Sequence, residues 1–249
     1  MANAGTEASA YVALGDSISI DEYAGGPGRG GASLLVRNRD EDFPEWRGAE
    51  LGRPLLQLAM DGATTATLLD VQVPRLEQSG VRPAVVTLTI GGNDVLRSYG
   101  DTGAARRTVA LVGARVRTAL ERVAAVLAPH GRVVVGTVYD PSDGLGDTTS
   151  VGLPPWPDVV GVLAELNETL REAARTHGAA VADIHERFLS HGLTVGDPGQ
   201  ADPRPADRRL WYCSVIEPNA WGANGVRASF WAALGLPIPQ DPGSDPAVR

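Results

Sequence analysis

The stretch Tyr11-Val12-Ala13-Leu14-Gly15-Asp16-Ser17-Ile18-Ser19 reads as a short buried strand that runs without a break into a turn carrying an acid and a hydroxyl. Four successive apolar residues are too few for a helix and suit a strand covered on both faces, as in a parallel sheet. Glycine lets the backbone turn sharply, and the serine that follows is left at the sheet's carboxyl edge, where open α/β sheets bind their ligands. Ser17 is therefore a candidate nucleophile. Taken alone, Gly-Asp-Ser is also ordinary turn chemistry, so the rest of the chain has to decide.

Further strands and helices alternate along the sequence. Leu55 to Met60 reads as a second strand ending in Asp61-Gly62, followed by a helical pattern through Leu68, Leu69, Val73 and Leu76 that Gly80 closes. Pro83 to Ile90 is a β-branched strand stopping at Gly91-Gly92-Asn93-Asp94, and Gly103 to Leu127 is a long amphipathic helix. Arg132 to Tyr139 and Ala179 to Ile184 read as strands, Val159 to His177 as a helix between them, and Asn219 as the N-cap of a final helix through Leu234. Such alternation predicts an α/β fold with a parallel sheet and helices on both faces. The glycine-rich run Gly25 to Gly31 reads as an exposed flexible lid beside the first strand, with Arg29 available to an anion. It lacks the Gly-Lys-Ser/Thr ending of a phosphate loop and the strand that must directly precede a dinucleotide fingerprint.

Composition narrows the function. A chain of 249 residues with 43% hydrophobic and 21% charged residues can bury a core, and nothing marks a seam. It reads as one domain, core about 10–235, with a flexible C-terminal tail. A net charge of -8 and a pI near 5.0 argue against nucleic acid and anionic membranes as partners and favour a small-molecule substrate. The lone Cys213 rules out an intramolecular disulfide and a cysteine-based zinc site. With no signal-like start and no span-length apolar run, the chain is expected to be soluble and cytoplasmic; its oligomeric state is left open.

Three strands thus end in small polar residues, Asp16-Ser17, Asp61-Gly62 and Gly92-Asn93-Asp94, and a parallel sheet brings those ends to one edge. In that order the blocks resemble the GDSL or SGNH hydrolase superfamily. The resemblance runs from Tyr11 to about Leu234 and implies a flavodoxin-like three-layer sandwich hydrolysing esters or related acyl bonds. It implies Ser17 as the nucleophile, with the backbone N–H of Gly62 and the side chain of Asn93 as oxyanion donors. No cofactor is implied.

The family's fourth block, Asp-x-x-His-Pro, is where this sequence departs. The matching stretch is Ser214-Val215-Ile216-Glu217-Pro218-Asn219, with Glu217 where the general-base histidine stands and Ser214 where its aspartate stands. Of the four histidines, only His185, just after a strand end, is placed to compete with Glu217 as the base. An unperturbed glutamate is roughly 3 kcal/mol weaker as a base than histidine, a deficit that burial can offset. Glu217 is therefore expected to be partly buried near aromatic surface such as Trp221. Acids abound on the same edge, and Asp16, Asp94, Asp140, Asp143 and Trp221 are candidate substrate-binding residues. The acids lack the alternation of a calcium loop, and no metal site is assigned. Two alternatives to a Ser–Glu esterase follow: a scaffold turned to non-ester chemistry by a carboxylate-rich pocket, and a catalytically silent ligand-binding protein.

Overall fold

The computed structural model describes residues 10–239. Five strands form one parallel sheet: β1 (Tyr11–Gly15), β2 (Leu55–Gln57), β3 (Val85–Thr89), β4 (Arg132–Gly136) and β5 (Ala180–Ala182), in the order β2-β1-β3-β4-β5. This is the flavodoxin-like order, in which the reversal on either side of β1 opens a crevice at the carboxyl ends of β1 and β3. The helices are α1 (Gly31–Val36), α2 (Thr65–Thr67), α3 (Val73–Ser79), α4 (Gly92–Leu96), α5 (Thr102–Val126), α6 (Val159–Thr176), α7 (Ile184–Phe188) and α8 (Ala220–Ala233). A small antiparallel hairpin, β6 (Tyr212–Cys213) with β7 (Glu217–Pro218), stands apart from the sheet.

The period-two alternation of strand side chains sorts the helices into two layers. Val12, Leu14, Val86, Leu88 and Val135 face one way and pack with residues of α3, α5 and α6. Tyr11, Ala13, Val85, Val134 and Ala182 face the other way, onto α1, α7 and α8. Both faces are covered, which is why β1 and β3 are buried along their whole length, the two threonines of β3 included.

Several expectations are corrected. The second strand is only Leu55–Gln57, because the amides of Leu58 and Ala59 both donate to the Ala13 carbonyl at 2.9 Å and so break the ladder. The glycine-rich run is no lid. The Asp21 carboxylate accepts from the amides of Gly28 and Gly30, both at 2.8 Å, and Gly31 opens a helix not foreseen in the sequence. Arg29 is paired with the buried Asp42, so it is not available to an anion. The tail expected from Pro237 falls largely outside the described residues. No helix of the described residues is long and apolar enough to cross a membrane.

Candidate active site

The site begins with how β1 ends. Gly15 has φ 123, and a Cβ there would lie 1.9 Å from the Thr89 carbonyl oxygen, so only glycine lets β1 and β3 approach this closely. The buried amide of Gln72 fixes the same residue from the other side: the Gly15 amide donates to Gln72 Oε1 at 2.8 Å, and Gln72 Nε2 donates to the Gly15 carbonyl at 2.7 Å. Gln72 reaches it from a π-helical turn, Leu68–Gln72. Pro74 follows that turn; having no N–H, it cannot continue the regular helical ladder, which accounts for the irregularity. Asn167 on α6 treats the end of β4 in the same way, accepting from the Val138 amide at 2.7 Å and donating to its carbonyl at 2.8 Å.

On this platform Asp16 caps a short 3₁₀ turn, Ser17–Ser19, accepting from the Ile18 amide at 3.2 Å. The Ser17 amide, first in the turn, has no intrahelical acceptor. The Gly62 amide likewise donates to no other group among the described residues, and Gly62 sits at φ 63 on an exposed turn. Asn93, in α4, donates from Nδ2 to the Ala63 carbonyl at 3.1 Å, which leaves its second amide hydrogen free of that bond.

Glu217 arrives from the hairpin. It is 8% exposed, and the Ser17 hydroxyl lies near enough to its carboxylate to favour the charged form. One carboxylate oxygen, Oε2, is buried without a partner among the described residues. Burial raises the Glu217 pKa to about 7; the Ser17 hydroxyl opposes that rise and the charge of Asp61 adds to it. Asp16 is also raised to about 7, first by burial and against the hydrogen bonds from Thr89 and Ile18, with the Glu217 charge adding to the rise. Two facing carboxyls of this kind resist being ionised together.

The hairpin is held in a strained form. Ser214 and Val215 have φ 50 and 76, a left-handed pair without a glycine, and for β-branched Val215 this is a genuine outlier. Their amides donate to the carbonyls of Gln200 and Pro198 at 2.8 and 2.9 Å, and the Tyr139 hydroxyl donates to the Ile216 carbonyl at 2.6 Å. Val215→Gly should therefore raise the unfolding free energy by about 1 kcal/mol while lowering kcat/KM several-fold, because the loosened hairpin no longer fixes Glu217. Denaturant titration and steady-state kinetics of the same variant check both halves.

The remaining expected residues divide. Asp140 lines the cavity beside Ser17, but its carboxylate accepts from the Ser142 amide and hydroxyl at 2.8 and 2.7 Å. Asp94 accepts from the Thr65 amide and hydroxyl at 2.9 and 2.6 Å, and so fastens the start of α2 instead of facing the cavity. Asp143 holds the amides of Gly192 and Thr194. Trp221 lies under the Arg208 guanidinium, 4.2 Å from its ring, and donates its indole to the Pro205 carbonyl at 2.9 Å. These three are loop and cap fasteners, which the sequence could not tell from pocket residues. The acids that remain near Ser17 are Asp16 and Asp140, which line the cavity, and Glu217 with Asp61 beside it.

His185 directs Nδ1 to the Val138 carbonyl at 3.1 Å, His177 lies near Glu121, and His191 stacks on Trp211. None of the four histidines lines the cavity beside Ser17. Sequence reasoning missed Gln72, Asn167, and Tyr23, whose hydroxyl meets Asp61 near Glu217. A buried amide inside an apolar helical face was the available signal for the first two.

Comparison with known proteins bears on the family and the fold. Residues 13–223 match the GDSL-like lipase/acylhydrolase family. Lipase 2 of Streptomyces coelicolor is 28% identical, the alignment covering 91% of this chain and 86% of that protein. Among solved structures, a variant of an acetyl xylan esterase from Geobacillus stearothermophilus superposes with a TM-score of 0.63 at 17% identity, over 94% of this chain and 97% of that one. A member of the lipolytic G-D-S-L family from Veillonella parvula gives 0.59 at 17% identity, over 90% and 97%. At these identities the structures establish the shared fold alone. Since the family match spans all three strand-end blocks and the start of α8, this chain belongs to the GDSL-like lipase/acylhydrolase family.

Proposed function

We propose that the protein hydrolyses an ester or related acyl bond of a small molecule, with Ser17 as nucleophile and Glu217 as general base. The observation that carries this reading is a buried carboxylate, Glu217, placed beside the Ser17 hydroxyl with its pKa raised to about 7. A base works best when its pKa is close to the working pH, and burial has moved this glutamate into the range where histidine ordinarily serves. In the first step Ser17 Oγ attacks the acyl carbon and its proton passes to Glu217. The negative charge forming on the carbonyl oxygen meets donors from Asn93 and from the Ser17 and Gly62 amides. Glu217 then returns the proton to the departing alcohol. In the second half the same carboxylate takes a proton from water as the water oxygen attacks the acyl carbon, then returns it to Ser17 Oγ as the acyl–Oγ bond breaks and the carboxylic acid leaves.

A carboxylate receives and returns the proton on its own oxygens, so it needs no aspartate to set a tautomer. Ser214 in the aspartate position is then consistent with the exchange at 217. Relatives named as lipase and esterase support the class of reaction.

A fluorophosphonate probe tests the nucleophile directly. One covalent adduct on Ser17 is expected by intact-mass analysis, absent in Ser17→Ala, with a labelling rate that rises as pH passes through about 7. A folded parent protein that takes no label would leave the catalytically silent pocket as the better reading.

A further inference from the structure

Beside Ser17 and Asn93 opens a cavity of about 120 Å³ whose walls are nearly all hydrocarbon. Val95, Leu96 and Tyr99 from α4 and the turn after it form one side, Leu163 and Leu166 of α6 the other, and Trp156 the roof. The polar groups along it are occupied: Asp140 and Ser142 bond to each other, and the Thr148 hydroxyl donates to the Pro154 carbonyl at 2.8 Å. The roof is built in rather than closing on demand. Trp156 is 3% exposed, donates its indole to Thr102 Oγ1 at 2.9 Å and meets Tyr99 edge-on at 4.9 Å, while the Tyr99 hydroxyl donates to the Pro154 carbonyl at 2.7 Å. An apolar space of this size is close to one known to hold a six-carbon ring, about 150 Å³.

The surroundings of Glu217 differ. Asp61, Tyr23 and Glu22 gather near Glu217, and none of them lines the cavity, so the serine stands between an apolar cavity and a polar cluster. We infer that the cavity is an acyl pocket, and that the preferred substrate is an ester of an apolar carboxylic acid of about six carbons rather than of acetic acid. This rests on the ester-hydrolase reading and names its substrate class. An acetyl group would leave most of the wall without a partner. Each further buried methylene strengthens transition-state binding, equivalent to about fourfold in rate.

Nitrophenyl esters from acetate to dodecanoate give the test. For the parent protein, kcat/KM should climb about fourfold per methylene up to hexanoate and fall beyond octanoate, where the chain outgrows the cavity. Leu163→Trp, which fills it, should bring the optimum back to acetate. Leu96→Phe narrows the cavity from the rim, where Leu96 is 36% exposed, and should shorten the optimum even where the α6 variant does not fold. A flat profile, an acetate optimum in the parent, or an optimum that neither variant moves overturns the acyl pocket. Failure of the ester reading has a different signature: no ester of any length is turned over and Ser17 takes no label. Hexanoate is then the probe. Its raising of Tm above that given by acetate, lost in the filled variant, keeps the pocket, and equal effects of the two acids reject it.

Discussion

Replacing Glu217 by glutamine is expected to lower kcat by about 10²-fold or more and, in the same molecule, to stabilise the fold above pH 7. The first effect follows from removing the group that takes the Ser17 proton while keeping its shape. The second follows from linkage. The folded pKa of about 7 stands above the ordinary 4.5, so between those values the native state holds a proton that the unfolded chain has released. Stability from this group is thus complete below about pH 4.5 and is lost as pH rises through 7. The total is of order 3 kcal/mol, with little solvent to screen it at a site 8% exposed. Glutamine does not ionise, so the variant and the parent should match near pH 4.5 and diverge toward pH 8, with the variant the more stable. Denaturant melts at the two pH values and steady-state rates measure both. Parent-like turnover would make the carboxylate structural, and a stability difference independent of pH would mean that Glu217 is not held protonated by burial.

That trade between stability and chemistry explains what could be read in the sequence and what could not. The β-branched run before Gly91-Gly92-Asn93-Asp94 and the Gly-Asp-Ser turn declare themselves, because strand propensity and turn chemistry are local. Two such strand ends, with the order of the blocks, led to the expectation that Ser17, Gly62, Asn93 and Glu217 share one edge; Ser17 and Asn93 line one cavity, and Glu217 lies near Ser17. Whether an acid on that edge is free depends on partners distant in sequence. Asp94 answers to Thr65 and Asp143 to Thr194, 29 and 51 residues away, and no periodicity announces either. The apolar cavity was hidden for the same reason. Leu163 and Leu166 belong to the ordinary buried stripe of α6, and only the neighbouring α4 and Trp156 turn part of that stripe into a pocket wall. The glycine-rich run misled in the opposite sense, since several of its glycines serve close packing where a lid would need mobility.

Asn93 supplies the second large effect. Asn93→Ala should reduce kcat by about 10²- to 10³-fold, the equivalent of ~2.7 to 4 kcal/mol for one lost oxyanion donor, with KM changed little, because the donor faces charge that exists only in the transition state. The bond from Nδ2 to the Ala63 carbonyl at 3.1 Å is also lost, so a stability decrease of about 1 kcal/mol accompanies it. A purely structural asparagine would show that small decrease and no split between kcat and KM. Asn93→Asp separates the two roles further. An ionised aspartate has no hydrogen to give and places a negative charge beside a developing negative oxygen, in the cavity that Asp16 also lines. Its kcat should fall below that of the alanine variant at pH 8, and the gap should narrow as the aspartate is protonated in acid. If the alanine and aspartate variants keep the parent's kcat and lose only stability, the oxyanion is held by the Ser17 and Gly62 amides alone, and the side chain of Asn93 serves to fix the turn that presents Gly62.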